Sequence, residues 1–324
     1  MKATLSILSC LLLVAIGFGQ TIEKFSIDSG GATANAGGIE ILYTIGEVNV
    51  QELSAGTNQV SEGFINGSMK IKIDPKLFLQ GPLLNPISDG LMNDNLRQEG
   101  YIPTTSPYAD LATCNATVFN VTGNNAIVDW IWIELRAAND NQKLVNGKSG
   151  LLQRDGDVVD VDGVSEIIMT AAPTNYFVVV KHRNHLGAMS DSTIALNETT
   201  ATFVDFTNSG FSTFGNHAQV ILSSGDTALW AGDTNAMNRI RFLGADSSIS
   251  TIKDLVLADP NNGFESISYL SLGYFNTDLD LSRGSKYTGS GNDTNIVRDN
   301  VLSHPSNGFG SPTYTIIETV PANN

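Results

Sequence analysis

The sequence predicts a mostly-β protein: an antiparallel β-sandwich over residues 70–207, followed by a small α-containing pair of repeats in 208–324. Three observations carry that prediction. Runs with apolar residues at alternate positions, such as 128–136 and 176–183, recur between turn formers. Glycine is abundant, at 31 residues, while only 16 % of the chain is charged, a mixture that suits sheets better than helical bundles. The last third of the chain repeats itself, with 45 residues separating Asp233 from Asp278.

The chain opens with the three parts of a secretory signal. Lys2 supplies the positive start, residues 5–18 are almost wholly apolar, and Gly17 and Gly19 are small residues near a cleavage point at Gly19 or Gln20. The run is shorter than the roughly 20 apolar residues of a spanning helix. An uncleaved anchor is the alternative. A lipid-attachment site at Cys10 is not expected, because residues 11–16 stay apolar beyond it. No later stretch is long and apolar enough to span a bilayer, so the mature chain is expected to be secreted or held at the cell surface by other means. Only Cys114 outlasts cleavage, so no disulfide framework is expected and the thiol reads as buried and structural. A formal charge of −15, from 33 acidic and 18 basic residues, argues against nucleic acid and anionic membranes, which are bound through Lys and Arg.

Residues 21–68 form a β-rich leader segment, with Gly30-Gly31 and Gly37-Gly38 as turns, too short for a secure core alone. In the sandwich region, Ile131, Ile133 and Leu135 share one strand face, and Trp130, Trp132 and Glu134 the other. Ile131, Ile133, Val178 and Val180 are expected in the core. The tryptophans are either a second packed layer or an aromatic platform for a sugar ring.

Two polar clusters stand out. Asp155, Asp157, Asp160 and Asp162 make either a calcium-stabilised loop or a hairpin with solvated aspartates turning at Asp162-Gly163. His182 and His185 have a spacing that can chelate zinc but lack an apparent third ligand. Structural hydrogen bonds, with the aspartates of 155–162 as partners, are the alternative. No nucleophile elbow, His-Glu-x-x-His or phosphate-cradling loop is present, so the chain is not expected to be an enzyme.

The repeats, about 230–258 and 275–303, align without a gap. Asp233 falls on Asp278, Asn235 on Asp280, Arg241 on Lys286 and Ile252 on Val297. Each opens with oxygen-bearing residues two apart, which is how one turn supplies several of the six to eight oxygens calcium requires. In the second loop the expected ligands are Asp278, Asp280, Ser282, and Asn292 or Asp293; Asp293 can alternatively cap the helix starting near Thr294. The first loop is poorer: Met237 stands at the place of Ser282, Ser247 and Ser248 at those of Asn292 and Asp293, and Asp246 is the compensating candidate beside Asp233 and Asn235. Neither loop has the glycine at its sixth position or the glutamate at its twelfth that an ordinary EF-hand carries. Turns without metal are the alternative.

Several of these stretches resemble a family of exported Bacteroidetes proteins described as haemagglutinin-like. The resemblance rests on Leu79-Gln80-Gly81, residues 103–108, Asp129-Trp130, residues 151–160 and residues 182–187. Residues 286–293 are similar to that family's dockerin-like repeats, and residues 20–64 to its leader region. The resemblance implies a secreted or surface location and adhesion. The leading expectation is a binding or adhesion protein, taking a carbohydrate or protein surface ligand, with calcium-stabilised repeats. The alternatives are an accessory protein in polysaccharide processing, with a glycan-binding sandwich and docking repeats, and, more remotely, an extracellular hydrolase.

Overall fold

The computed structural model describes residues 69–324 throughout and, before them, the backbone of four strands. β1 (Gly31–Ala36) pairs antiparallel with β2 (Ile39–Thr44), and β3 (Gln51–Ala55) with β4 (Asn58–Glu62). The expected signal at residues 1–20 lies outside the described residues. These hairpins belong to a first compact unit, Met1–Gly67, and Ser68–Asn324 forms a second.

The second unit is mostly β with mixed sheets and small helices near its end. Its strands are β5 (Lys70–Lys76), β6 (Ile127–Ala137), β7 (Asp140–Gln153), β8 (Val158–Val159), β9 (Ile167–Thr170), β10 (Asn175–His182), β11 (His185–Met189), β12 (Ile194–Ala195) and β13 (Thr202–Asp205). A six-stranded antiparallel sheet runs β11-β10-β6-β7-β8, with β12 also on β10. A three-stranded sheet runs β13-β5-β9. Here the expectation of a wholly antiparallel fold is corrected: β13 runs parallel to β5, Thr202 beside Ile73. Residues 196–201 carry the chain back to the start of β5, where Lys72 N–H bonds the Asn197 carbonyl at 2.9 Å, and it then follows that strand in the same direction.

Alternation places Leu135 opposite Val178 and Ile133 opposite Val180 across β6 and β10. These four and Ile131 are fully buried, in one core with Ile71 and Ile73 of β5 and Ile167 and Met169 of β9. The other face of β6 is also covered. Trp130 is fully buried, its indole donating to Pro103 O at 2.8 Å. Trp132 is half-buried between the Tyr108 ring, 5.8 Å away, and Gly147, where a Cβ would lie 2.2 Å from the indole. Farther along, Arg136 pairs with Glu134 at 2.7 Å and donates to Pro321 O at 2.6 Å, so the C-terminal segment lies over this face. Trp130 is therefore packed core, and with Trp132 half-covered the pair does not form a fully exposed aromatic platform. Cys114 is free and half-buried, packed against the same core rather than within it.

The region after residue 207 shares that core. β14 (Gln219–Ile221) and β15 (Thr227–Leu229) form a hairpin, and Ala228 and Leu229 pack with the sheet residues, joined by Leu281. Residues 70–207 and 208–324 are thus parts of one compact unit, bound by a continuous apolar interior.

The repeats interlock. They contain β16 (Arg239–Arg241), α1 (Ser248–Ala258), β17 (Leu270–Leu272), β18 (Gly284–Lys286), α2 (Asp293–Ser303) and β19 (Thr315–Ile317). The strand after each helix pairs with the loop strand of the other repeat: Leu270, Ser271 and Leu272 oppose Lys286, Ser285 and Gly284, and Thr315, Ile316 and Ile317 oppose Arg241, Ile240 and Arg239. The two registers are equivalent position by position. Each helix turns one apolar stripe inward, Ile252 and Val256 in α1 and Val297 and Val301 in α2. Ile252, Val297 and Val301 meet Leu186, Trp230 and Ile240 in a second core.

Candidate metal centre

In the second repeat the carboxylates of Asp278, Asp280 and Asp293 converge, with one oxygen from each lying within 4.8 Å of the others. Local hydrogen bonds arrange them. Asp278 accepts the Ser282 and Arg283 amides at 2.9 and 3.0 Å, and Asp280 also accepts the Ser282 amide at 3.1 Å. Asp293 is fixed from two sides, accepting Leu279 N–H at 2.7 Å and Lys286 N–H at 2.8 Å. Asp278 and Asp293 are buried, Asp280 half-buried. Burial and then the neighbouring carboxylates push the Asp278 and Asp293 acids well above the ordinary carboxylate range. None of the three forms an ion pair with a basic side chain among the described residues. This cluster can coordinate a divalent cation, and its all-oxygen donors suit a hard one.

One expected ligand takes another part, and Ser282 stands beside the cluster. Asn292 is the N-cap of α2, its side chain accepting Asn295 N–H at 2.9 Å. That use leaves Asp293, at the first helical position, to turn back to the loop, so the alternatives of ligand and cap divide between the two residues. Ser282 contributes its amide to the carboxylates.

The first loop has the same frame. Asp233 is buried and accepts the Met237 and Asn238 amides at 2.9 and 3.0 Å. Ser248 holds the place of Asp293, its hydroxyl accepting Arg241 N–H at 3.2 Å. Asn235 replaces Asp280 and bonds the Asp246 carbonyl at 3.4 Å. Asp246 does not compensate: its exposed side chain turns to Arg239, 3.6 Å away. The sixth position of both loops is left-handed although neither carries glycine, with φ of 53° at Asn238 and 112° at Arg283. The fourth positions match as well, at 54° for Ala236 and 55° for Leu281. The loops therefore fold alike, and side-chain chemistry alone separates them.

Both loops are seated on the turn between β10 and β11. The Asn184 carbonyl accepts the Gly232 and Asp233 amides of the first repeat at 3.0 and 3.1 Å. Its side-chain amide donates to Asp278 O of the second at 2.7 Å. Arg183 donates to the Phe275 carbonyl, packs its guanidinium 4.0 Å from the Tyr274 ring centre, and pairs with Asp129 at 2.9 Å. Tyr274 donates its hydroxyl to the same Asp129. Burial opposes Asp129 ionisation, but Arg183 and His182 outweigh it and hold this acid well below the ordinary carboxylate range. Gln80 completes the joint, exchanging two amide hydrogen bonds of 2.7 Å with Asn300 of α2. Beside it Gly81 approaches so closely that a Cβ there would lie 1.8 Å from the Leu279 carbonyl oxygen.

The histidines belong to this joint and not to a zinc site. Burial, above all, keeps both below the usual imidazole range and hence neutral. The partners assign the donors: Gly81 N–H to His185 Nε2 at 3.2 Å, His185 Nδ1–H to Asn184 Oδ1 at 2.7 Å with His182 Nδ1 3.0 Å away, and His182 Nε2–H to Asp129 at 3.1 Å. Every ring nitrogen is engaged. The hydrogen-bonding role was expected, but the partner is Asp129 rather than the 155–162 aspartates. Those aspartates disperse. Asp155 accepts Asp157 N–H at 3.4 Å, Asp157 pairs with Lys76 at 2.7 Å, Asp160 pairs with Lys148 at 2.6 Å, and Asp162 closes a turn on the Val164 amide at 2.9 Å. They form no shared cation site, because their neighbours are lysines and amides.

Sequence reasoning noted residues 79–81, 129–130 and 182–187 as motifs but assigned them no meeting place. Asn300 and Tyr274 it passed over, since nothing within their own segments marks them. No protein-family model, curated protein or solved structure matches the chain.

Proposed function

We propose that this chain is a secreted or cell-surface binding protein of the haemagglutinin-like kind, in which a β-sandwich scaffold carries a repeat pair stabilised by one calcium ion. One observation carries the calcium reading: three carboxylates, two of them buried, share a site in which none is ion-paired among the described residues, and the one cation acting on it, Arg183, is outweighed at Asp278 by burial and the neighbouring carboxylates. Burying crowded like charges is costly, and a divalent cation offsets that cost. Calcium is preferred over magnesium because the ligands come from an irregular loop and a helix start, and calcium tolerates irregular oxygen geometry. Thiolate and imidazole, the ligands that favour zinc or copper, are missing from the cluster. The first loop, with one buried carboxylate, is read as a metal-free homologue of the second.

Export is supported by the residue pattern of 1–20, and among the described residues no helix is long and apolar enough to cross a membrane. Binding, to a carbohydrate or protein surface ligand, is supported by the resemblance of the motifs that make the joint. Calorimetric titration of calcium into the chelator-treated mature chain tests the metal reading, with magnesium as comparator. One calcium per chain, with a higher melting temperature, is expected. No calcium heat and identical melts with and without chelator would reduce the loops to hydrogen-bonded turns. A glycan array and a surface-protein panel test the binding reading.

A further inference from the structure

The chain has four histidines, and they stand in two edge-to-face pairs. His182 and His185, with ring centres 4.9 Å apart, lie in the joint beneath the repeats. His304 caps the end of α2, and its ring centre lies 5.8 Å from that of His217, in the segment before β14. Trp230 and Tyr314 also pack on the His304 ring, at 5.2 and 5.5 Å. The segment carrying His217 is fixed to the sheets by the Phe214 amide on the Met189 carbonyl, at 2.8 Å, so each pair ties the repeats to the sheets. His182, His185 and His304 are buried. An imidazole takes its second proton on the nitrogen that lacks one. In His185 that nitrogen is Nε2, which accepts Gly81 N–H at 3.2 Å. In His304 it is Nδ1, which accepts Ser306 N–H at 3.2 Å. Protonation turns each acceptor into a donor facing a donor, so the proton cannot enter with the contact in place. Gly81 is the residue pressed against the Leu279 carbonyl of the second repeat, and Ser306 leads into Asn307, whose amide holds the Val301 carbonyl of α2 at 2.7 Å.

We propose that His185 and His304 form a two-point proton latch, closed while both rings are neutral and opened by acid, which frees Gly81 and the Ser306 turn and so loosens the repeats from the sheets. The surroundings oppose proton uptake in the closed form. Around His185, burial, His182 and Arg183 disfavour the charge, and Asp129 alone favours it. Around His304, burial and then His217 disfavour it. His182 is closed in the same way: its Nδ1 faces Nδ1–H of His185, and burial outweighs the pull of Asp129. Tyr274, which also faces Asp129, is held neutral far into base, chiefly by burial. A histidine whose folded pKa is depressed contributes stability that is complete above the unfolded value, about 6.5, and is lost as pH falls through the folded value. Opening restores an ordinary imidazole, so within that window acid favours the open form by up to about tenfold per pH unit at each histidine. Histidine pairs at a packed junction are a known way for protonation to reset an interface.

The latch depends on neither the calcium nor the binding reading, so its test is run in chelator on the whole mature chain. Amide hydrogen exchange is followed between about pH 7.5 and 5 and corrected for the intrinsic rate. Protection at Gly81 and Ser306 should fall by up to about tenfold per pH unit below about 6.5, while amides of β6 and β7 keep theirs. His185→Gln sets an amide oxygen near the place of Nε2, and His304→Asn sets one near the place of Nδ1, each an acceptor that takes no proton. H185Q should flatten the Gly81 response alone, and H304N the Ser306 response alone. In the wild type, the imidazole signals of His185 and His304 should titrate together with the loss at their own amides, a measurement that decides the matter if either variant fails to fold. The proposal is overturned if protection at Gly81 and Ser306 does not change with pH. Loss of protection to the same degree in β6 and β7 would overturn it too, since that is acid unfolding of the whole unit. So would variants that respond as the wild type does, or imidazole titrations that do not coincide with the amide losses.

Discussion

Asp233 and Asp278 occupy the same place in two loops of one shape. Each accepts amides from the residues four and five positions further on, at 2.9 and 3.0 Å in both loops. Around Asp278 stand two more carboxylates, whereas around Asp233 stand an amide and a hydroxyl. Backbone geometry thus survives where the charge cluster does not. The frame is held by amide hydrogen bonds, strand pairing and the Asn184 seat, while the carboxylate cluster depends on Asp280 and Asp293. The second loop is also tied more heavily to the sheets, through Arg183, Tyr274 and Asp129.

The largest expected effect breaks that heavier tie. Asp129→Ala leaves the buried Arg183 without its counter-charge, and stability should fall by about 3–5 kcal/mol in chemical denaturation. Since the repeats and sheets share a core and this joint, one cooperative transition should shift. A loss confined to a separately melting C-terminal region would contradict the shared unit.

Asp293→Ser gives the second loop the residue of the first. It should abolish calcium heat and remove about 2.7 kcal/mol of calcium-dependent stability at calcium a hundredfold above its dissociation constant, over and above a smaller loss in chelator from the Leu279 amide left without its acceptor. Retained calcium stabilisation in this variant would show that the third carboxylate is not the distinguishing ligand.

The first loop should respond to acid instead. Burial pushes the Asp233 acid up to about 6, against the lowering pull of its two amide bonds. A raised folded pKa contributes stability that is complete below the unfolded pKa near 4 and lost as pH rises through 6. In chelator, the wild type should therefore lose on the order of 2 kcal/mol relative to Asp233→Asn between about pH 4 and 6. Parallel profiles of the two proteins would show that Asp233 titrates normally.

The smallest effect concerns the shared frame. Arg283→Gly relieves a left-handed non-glycine residue at φ 112° and should stabilise by about 1 kcal/mol, with calcium affinity kept. Its exposed pairing with Glu99, at 3.2 Å, is weak enough to be outweighed. Destabilisation would show that this arginine holds the loop by a contact stronger than the strain it bears.

Much of this was legible along the chain, because its cause is local. Alternation placed Ile131, Ile133, Val178 and Val180 inside, since a strand turns every second side chain to the same face. The spacing of 45 identified equivalent loops and helices, and the Asp-x-Asp start located the carboxylate cluster. Residue identity alone also set the difference between the loops, Ser248 against Asp293. What only the tertiary structure decided is which polar groups meet across long separations. Asp129 finds Tyr274, Gln80 finds Asn300, and Asn184 finds both Gly232 and Asp278, pairs joined through packing that no local pattern specifies. Trp130 became core rather than platform because a loop near Pro103 folds over it. His182 became a donor to Asp129 for the same kind of reason. Periodicity states which face of an element is apolar, whereas the partner of a buried polar group is set by the layer that covers it.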